Sequence, residues 1–379
     1  MKLLYAATNI YHHMIPLVRA MIKITGEANF RYAVLQPIEN FRIKMGFDPN
    51  NEDQIWTIRA YKNNDLYLEF VKWFKESDIV LFSDRSLFYL AKERTDNNKL
   101  TFYFSERWWK PPLGRFRLLH PKVLMLAIKL RKLSKNPNFH YLAQGGFATG
   151  DIRFFTFFKN RIWNWGYFPD VTENSVLRKT NSKIIILWCG RMLKWKRVDT
   201  LIKAFSLIII NEPDCILTII GDGNEKENLQ LIAKRNLPEY SYKFIPSLPA
   251  NAIRETMNAS DIYVLPSSGY EGWGAVINEA MAEGCAVIAS KESGGGKAII
   301  YDMKNGVLFK SKDYLELSNK LLLLLQNRSL LLKVKEEGKT TINELWSPEV
   351  AAERFLYVCS ALLSNSNFPE YFSGPMQRL

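Results

Sequence analysis

The most constraining feature of this sequence is an alternation, in its second half, between short aliphatic runs and longer amphipathic segments. The short runs are rich in β-branched residues and stop at turn residues, which is typical of buried strands, whereas the longer segments have helical spacing. Strands that alternate with helices form βαβ units and a parallel sheet. The predicted strands are Ser182–Cys189, Cys215–Ile220, Tyr242–Ile245, Asp261–Leu265 and Cys285–Ala289, and the predicted helices are Val198–Ile210, Glu225–Arg235, Ala250–Ala259 and Ala275–Glu283.

The first half repeats this alternation more loosely, and the chain as a whole is long for one core. With 379 residues it exceeds the length that a single hydrophobic core normally supports, and turn-forming residues cluster between Pro169 and Ser182. We therefore predict an α/β protein with domains over residues 1–168 and 169–345, followed by helices over 346–379. The predicted strands of the first half are Lys2–Ala7, Tyr32–Leu35, Ile79–Phe82, Thr101–Phe104 and His140–Ala143.

Cysteine spacing and hydropathy favour a cytoplasmic protein. The four cysteines are far apart and no histidine has metal spacing, so neither a disulfide framework nor a zinc site is indicated. The first apolar run is short and is broken by Asn9, His12 and His13, which makes a poor signal peptide. No run approaches the roughly 20 apolar residues that a spanning helix needs. We expect a chain that stays in the cytoplasm.

The loop after the first strand of the second half is basic. It reads Gly190-Arg191-Met192-Leu193-Lys194-Trp195-Lys196-Arg197 and leads into a helix. Open parallel sheets bind ligands beyond the carboxyl ends of their strands, so these cations are placed to meet an anion. The planar fork of Arg191 can engage two phosphate oxygens, and Lys196 supplies a movable point charge. The alternative is a solvated basic turn without a ligand.

The loop that follows Asp261–Leu265 combines glycines with carboxylates. Gly272 and Gly274 let the backbone approach a ligand closely, and the predicted helix start beyond them offers amide groups to an anion. Glu271 and Glu279 can both line one pocket and accept hydrogen bonds from vicinal hydroxyls of a sugar or ribose. Two glutamates at this spacing are common, so a chance pair of exposed acids is the alternative.

Taken together, Gly190–Gly284 resembles the retaining glycosyltransferases of family four, also called glycosyl transferases group 1. The likeness rests on GRMLKWKRVDTLIKAF, IIGDGNEKENL, DIYVLPSSGYEGWGAVINEAMAEGCAVIAS and NGVLF, and it is strong over residues 183–310. It implies the GT-B architecture, in which two Rossmann-like domains with parallel sheets face a cleft and the C-terminal helix crosses back to the first domain. It also implies a metal-independent reaction, with no cofactor besides a nucleoside diphosphate sugar of the UDP or GDP type as co-substrate.

The resemblance further implies roles for individual residues. Arg191 and Lys196 would hold the donor diphosphate, Glu279 the ribose hydroxyls and Glu271 the transferred sugar, while backbone amides of the donor loop touch phosphate. The catalytic candidates are thus Glu271, Arg191 and Lys196, and the substrate-binding candidates in the same half are Glu279, Gly272, Gly274, Ala275 and Val276.

The sequence departs from the family pattern in several places. Pro246 and Ala298 stand where the family often has a glycine and a glutamate, and Thr8–His13 replaces the usual Gly-Gly turn after the first strand. His12, His13 and Glu106 each follow a predicted strand of the first half, which makes them candidates for acceptor or sugar contacts. A histidine in such a loop is more often structural.

Residues 107–135, called the basic segment below, have a one-sided charge. The chain carries a formal net charge of +13, and no acidic residue occurs between Arg107 and Gly150. Aromatic and aliphatic residues alternate with the cations, which predicts an amphipathic element suited to an anionic membrane surface. At such a surface the acceptor would be a lipid-linked diphosphate sugar. The alternative interpretation of the basic segment is an ordinary surface helix whose apolar face packs into the core. Nucleic acid is not expected, because no recognition motif accompanies the charge.

These observations predict a hexosyltransferase that acts on a glycan acceptor in bacterial-type surface polysaccharide synthesis, peripheral on the inner face of the cell membrane. A nicotinamide dehydrogenase and a P-loop NTPase are disfavoured, because neither Gly-x-Gly-x-x-Gly after a strand nor Gly-x4-Gly-Lys-Ser/Thr is present. Two alternatives stay open: a nucleotide-sugar epimerase on the same scaffold, and a non-catalytic subunit that binds sugar nucleotides.

Overall fold

A computed structural model describes residues 1–39, 43, 53–171 and 183–379 of the chain. These residues form two compact units. The first unit consists of Met1–Pro169 together with Leu345–Leu379, and the second consists of Asp170–Glu344. The predicted linker, Pro169–Ser182, lies outside the described residues from residue 172 onward.

The first unit is built on a parallel sheet, whose described strands follow the order β3-β2-β1-β4-β5-β6-β7. The central strands are buried on both faces, which explains why they appear in the sequence as continuous apolar runs rather than as alternating patterns. The strands are β1 (Leu3–Ala7), β2 (Phe30–Val34), β3 (Thr57–Arg59), β4 (Ile79–Phe82), β5 (Leu100–Ser105), β6 (Phe139–Gln144) and β7 (Ile162–Trp165).

Helices cover this sheet and close a core rich in aromatic rings. Phe82 in β4 packs against Phe74 and Tyr103, with ring centroids 5.8 and 5.4 Å apart. The side chain of Asn63 caps the second helix by accepting a hydrogen bond from the Leu66 amide at 2.9 Å. The helices between these strands include α1 (Ile15–Thr25), α2 (Asn64–Glu76), α3 (Phe88–Asp96), α4 (Pro121–Leu133) and α5 (Ala148–Arg153).

The C-terminal helix belongs to the first unit. It is α13 (Pro348–Ser364), which begins at Pro348 behind the cap Ser347 and packs against α1. Phe355 reaches the rings of Phe102 and Trp165, at centroid distances of 5.0 and 5.5 Å. Because these rings belong to strands β5 and β7, the last helix completes the core on one face of the first sheet.

A buried histidine in β6 makes the stability of this unit depend on pH. Burial, followed by the charge of Arg161, lowers the pKa of His140 to about 3, and its Nδ1 accepts a hydrogen bond from Trp163 Nε1 at 3.1 Å. The unfolded chain binds a proton near pH 6.5 whereas the folded chain does not, so stability is lost as pH falls below 6.5 and the loss is complete near pH 3. From pH 7 to pH 5 we expect this histidine to remove about 2 kcal/mol of unfolding free energy. Urea unfolding at both pH values measures this. The variant His140→Gln, which does not titrate, is expected to lose correspondingly less; equal losses in both proteins would contradict the assignment.

The second unit is a smaller version of the same architecture. Its described strands are parallel and follow the order β10-β9-β8-β11-β12-β13. They are β8 (Ile184–Cys189), β9 (Cys215–Ile220), β10 (Tyr242–Ile245), β11 (Ile262–Leu265), β12 (Ala286–Ser290) and β13 (Val307–Phe309). The helices are α6 (Val198–Ile208), α7 (Lys226–Asn236), α8 (Ala250–Asn258), α9 (Val276–Ala282), α10 (Gly294–Ile299), α11 (Tyr314–Gln326) and α12 (Arg328–Leu345).

The strands of both sheets are parallel, which confirms the predicted fold class of two α/β domains, each built on a parallel sheet. In each sheet the strand order reverses once, between β1 and β4 in the first and between β8 and β11 in the second. A crevice opens beyond the carboxyl ends of the strands at such a reversal, and ligands bind there. The loops that follow these four strands are therefore the places to look for function.

Candidate functional site

The basic loop after β8 is fixed by a glycine turn that follows β9. Met192 donates its amide to the carbonyl of Asp222 at 2.7 Å. A Cβ atom on Gly221 would lie 2.0 Å from the carbonyl oxygen of Gly190, and one on Gly223 would lie 2.5 Å from that of Met192. Both glycines also have positive φ angles, of 136° and 148°. The Gly-Asp-Gly turn therefore holds the loop by backbone contact that no other residue type allows.

The loop after β11 is held in a similar way by the first residues of α10. A Cβ atom on Gly294 would lie 1.7 Å from the carbonyl oxygen of Gly272. The amide of Gly294 donates to the carbonyl of Glu271 at 3.2 Å, and that of Gly295 donates to Trp273 at 2.8 Å. Sequence analysis assigned these two glycines no role. The structure shows that they set the position of the Glu271 backbone.

The two loops meet through a backbone hydrogen bond and a buried ion pair. Ser268 donates its amide to the carbonyl of Trp195 at 2.8 Å. Lys196 Nζ lies 2.5 Å from Glu271 Oε2, and the hydroxyl of Ser267 donates to the same oxygen at 2.9 Å. The lysine side chain is 15% exposed and the glutamate side chain 10%. A pair this buried depends on both partners, because removal of one leaves the other charge uncompensated.

Glu279, the second predicted carboxylate, affects the pKa of a side chain at the same end of the sheet. The pKa of the Cys189 thiol is raised to about 12, first by burial and then by the carboxylate of Glu279, while the Lys196 ammonium acts in the opposite direction. Burial also raises the pKa of Tyr263, and the charge of Glu271 adds to this rise. Cys189 is the last residue of β8, and it contacts Tyr263 of β11, whose hydroxyl donates to the Cys189 carbonyl at 3.2 Å. The charges of Glu271, Glu279 and Lys196 thus converge on one strand end.

The remaining predicted residues of this half lie in the same two loops. Arg191 is half-buried and directly follows the loop glycine after β8. Gly274 has a φ angle of 90°, and a Cβ atom there would lie 2.8 Å from Leu265 Cδ2. Helix α9 begins at Val276, one residue later than predicted, with Ala275 at its cap. The structure therefore brings the donor-loop candidates to one edge of the second sheet.

The candidates of the first half form separate clusters in the first unit. His12 and His13 lie in a short 3-10 helix after β1, and the ring of His13 contacts that of Tyr167 at 4.9 Å. Glu106 follows β5 and pairs with Lys110, whose Nζ is 2.9 Å from its Oε2. All three candidates lie beyond the carboxyl ends of strands of the first sheet.

Neither a cluster of metal ligands nor a membrane-spanning helix occurs among the described residues. Within residues 1–39, 43, 53–171 and 183–379, no group of three or more His, Cys, Asp and Glu side chains is arranged to hold a metal ion. Over those ranges, no helix combines the length and apolar character that crossing a bilayer requires.

Two α/β units with parallel sheets, each with one strand reversal, are found in GT-B proteins, and solved structures of this class share the fold of the chain. HepE of Anabaena, solved in complex with UDP, has a TM-score of 0.71 at 15% identity; the alignment covers 95% of this chain and 100% of that one. At this identity the likeness concerns the fold alone. The family model described as glycosyl transferases group 1 matches residues 172–341, so the second unit is a glycosyl transferases group 1 domain.

Curated relatives match about half of the chain. An uncharacterized glycosyltransferase of Haemophilus influenzae is 34% identical over 167 residues, which are 44% of this chain and 46% of the relative. A GDP-mannose-dependent monoacylated alpha-(1-6)-phosphatidylinositol monomannoside mannosyltransferase of Corynebacterium glutamicum is 28% identical over 192 residues, covering 48% and 49%. The chain spans about half the length of the curated relatives it matches.

Proposed function

We propose that this protein is a glycosyltransferase that takes a hexose-type sugar from a nucleoside diphosphate donor bound at the second unit. One observation carries the proposal. The loops after β8 and β11 are joined by the buried pair of Lys196 and Glu271, and Glu279 acts on the same strand end. This arrangement offers a cation for a diphosphate beside carboxylates for sugar hydroxyls, which is what a nucleotide sugar presents.

The cations would act on the leaving group. When the bond between the anomeric carbon and the diphosphate breaks, negative charge grows on the diphosphate, and fixed cations stabilise it more strongly in a half-buried site than in water. Arg191 offers two parallel hydrogen bonds and Lys196 offers an ammonium with three protons. Lys196 can therefore keep its contact with Glu271 while it donates to a phosphate oxygen.

The carboxylates would bind the two sugars of the donor. Glu279 accepts hydrogen bonds from the ribose hydroxyls and Glu271 from the transferred sugar. The acceptor hydroxyl attacks the anomeric carbon from the face that the diphosphate leaves, and its proton passes to a diphosphate oxygen, so that the configuration is retained. No metal takes part in this scheme.

The identity of the donor can be tested directly. Relatives support a nucleoside diphosphate, because one is named as GDP-mannose-dependent and one neighbour was solved with UDP. We expect at least one nucleotide sugar from a panel of UDP and GDP sugars to raise the melting temperature, and slow release of its nucleotide without acceptor. A panel without any shift would contradict the proposal. Conversion of the donor into its epimer would favour the epimerase, and binding without release would favour the non-catalytic subunit.

The basic segment supports a membrane-surface acceptor. Residues Gly114–Leu119 form a 3-10 helix that runs into α4. Only part of the apolar complement enters the core: Trp108, Trp109, Ala127, Leu130 and Leu133 are buried. Six large apolar side chains remain between 45% and 82% exposed, namely Leu113, Phe116, Leu119, Leu124, Met125 and Ile128. Exposed cations surround them, namely Arg115, Lys122, Lys129, Arg131, Lys132 and Lys135.

Exposed apolar side chains among cations fit an anionic lipid surface, since the apolar groups enter the interface while the cations meet the headgroups. We therefore propose that the protein binds peripherally to the inner face of the cell membrane. The proposed acceptor is a lipid-linked glycan, as in the synthesis of a surface polysaccharide.

Reversing the charge of three lysines in the basic segment, in the triple variant Lys122→Glu, Lys129→Glu, Lys132→Glu, is expected to weaken binding to anionic vesicles by more than about hundredfold. Each lysine near such a surface contributes about 1 kcal/mol, and a glutamate is repelled. Sedimentation with phosphatidylserine vesicles at low and high salt measures this. The matched control reverses three exposed lysines of the second unit, Lys203, Lys234 and Lys333, and so changes net charge equally. Equal weakening by both triple variants would show that net charge alone drives binding.

A further inference from the structure

The strand reversal of the first sheet carries an ordered loop. Thr8, directly after β1, donates its hydroxyl to Asp84 Oδ2 at 3.3 Å, and Asp84 follows β4. The other oxygen of Asp84 accepts from the Ser86 amide at 2.8 Å. Both carboxylate oxygens are thus used to hold the loop in place. Arg85 lies between Asp84 and Ser86 in this loop, at the position where a doubly wound sheet binds its ligand.

The guanidinium of Arg85 rests on an aromatic cradle. Its carbon lies 4.0 Å from the ring centroid of Trp108, and its Nε donates to the hydroxyl of Tyr103 at 3.3 Å. Trp108 is itself fixed, because its indole nitrogen donates to the Ser105 hydroxyl at 3.2 Å. The side chain of Arg85 is therefore held in one orientation before any ligand arrives, which lowers the entropy cost of binding.

Two neighbouring cations are paired with carboxylates. Arg107 lies 3.8 Å from Asp151, and Lys110 lies 2.9 Å from Glu106. Over the part of the chain that the structure describes, no carboxylate is within ion-pair distance of Arg85, and its two terminal nitrogens donate to no described residue. A half-buried guanidinium held on its face, with its two-pronged edge unused, is suited to an oxyanion.

We propose that Arg85 binds a phosphate group of the acceptor. The proposal rests on the proposed function and specifies the acceptor class: a phosphate ester, either lipid-linked or a soluble polyol or sugar phosphate. Phosphate is favoured over carboxylate because Trp108 lies in a stretch, residues 107–150, that contains cations but no acidic residue, and its positive field favours the more highly charged anion. The contrasting explanation is that Arg85 only packs on Trp108 and holds the loop.

Calorimetric titration of the full chain with glycerol 1-phosphate, and with glycerol as the uncharged control, distinguishes the two. We expect the phosphate to bind and Arg85→Gln to weaken it by about tenfold or more, the effect of losing charged hydrogen bonds. The matched control is Arg31→Gln. Arg31 also stacks on a tryptophan, Trp73, at 4.9 Å, but its edge donates to backbone carbonyls. We expect this variant to bind phosphate as the wild type does.

Several outcomes would overturn the proposal: no phosphate binding by the wild type, equal binding by Arg85→Gln, or equal weakening by Arg31→Gln. If Arg85→Gln does not fold, Arg85→Lys serves, because it keeps the charge but lacks the two-pronged edge; undiminished binding would again overturn the proposal.

A second experiment distinguishes a lipid-linked from a soluble phosphate. It compares binding of the protein to phosphatidylcholine vesicles that contain polyprenyl phosphate and to vesicles that lack it. Tighter binding to the loaded vesicles that depends on Arg85 identifies a lipid-linked acceptor, whereas binding of glycerol 1-phosphate alone identifies a soluble one. A separate titration with UDP and GDP tests the donor site. Nucleotide binding without phosphate binding at Arg85 would contradict only this inference. Phosphate binding at Arg85 without nucleotide binding would contradict only the proposed transferase function.

Discussion

Replacing Glu271 by alanine is expected to lower the rate of sugar transfer by about a hundredfold to a thousandfold. The carboxylate is buried, it accepts hydrogen bonds from Lys196 and Ser267, and the proposal assigns it to the transferred sugar. Its removal leaves the ammonium of Lys196 without its partner and takes away a contact to the reacting sugar. Losses of this size are typical when one preorganised charged group of an active site is removed.

Two further variants make this result specific. Glu271→Gln keeps the shape and one acceptor oxygen but loses the charge, so it separates hydrogen bonding from charge pairing. Glu227→Ala removes an exposed carboxylate from α7 of the same unit and is expected to leave the rate within a factor of about two. Steady-state rates with a donor from the panel, alongside melting temperatures, measure all three. An unchanged rate in folded Glu271→Ala protein would remove this residue from the mechanism.

Replacing Gly294 by alanine is expected to disrupt the donor site although residue 294 is assigned no contact with the donor. The added Cβ would lie 1.7 Å from the carbonyl oxygen of Gly272, which is about half the distance of an ordinary contact, and the obstacle is backbone rather than a flexible side chain. The loop that carries Glu271 must therefore move away from α10. We expect an overpacking cost of about 1–3 kcal/mol in stability and at least about tenfold weaker nucleotide binding.

A helical glycine of the first unit provides the matched control. A Cβ on Gly150 in α5 would have no atom within 4 Å, so Gly150→Ala adds a methyl group without a clash. This change is expected to shift stability by at most about 1 kcal/mol and to leave nucleotide affinity unchanged. Melting temperatures and calorimetric titrations measure both effects. Gly294→Ala protein that binds nucleotide as tightly as the wild type would show that the close approach does not position Glu271.

The sequence predicts every interior strand of the two described sheets but only one of their four edge strands, β10. Cys215–Ile220, Tyr242–Ile245 and Ile79–Phe82 were predicted with the bounds that the structure has. The unpredicted strands, β3, β7 and β13, have only three or four residues each and lie at or beside the edges of the sheets. Such segments are too short for a periodic pattern and bury fewer residues, so their strand character depends on the neighbour that pairs with them.

The sequence predicts which residues form the candidate site and in which loops they lie, but it does not predict the contacts between them. Strand ends indicate where Lys196 and Glu271 lie, because loops after parallel strands gather at one edge of the sheet. The ion pair joins residues 75 positions apart, and no local pattern encodes such a contact. The role of Gly294 depends on which backbone segment passes beside it, and the role proposed for Arg85 depends on its having no carboxylate partner among the residues that the structure describes. The one local signal for the role of Gly294 is the run of three glycines, Gly294 to Gly296, that follows a predicted strand.

The central claim is that Arg191, Lys196, Glu271 and Glu279 form one site for a nucleoside diphosphate. Calorimetric titration of the full chain with UDP and with GDP tests it most directly. The account predicts that at least one of them binds at a single site, and that Arg191→Ala and Lys196→Ala each weaken this binding by about tenfold or more, because each removes charged hydrogen bonds to phosphate. It would be contradicted if neither nucleotide produced heat, or if binding were the same in the wild type and in both variants.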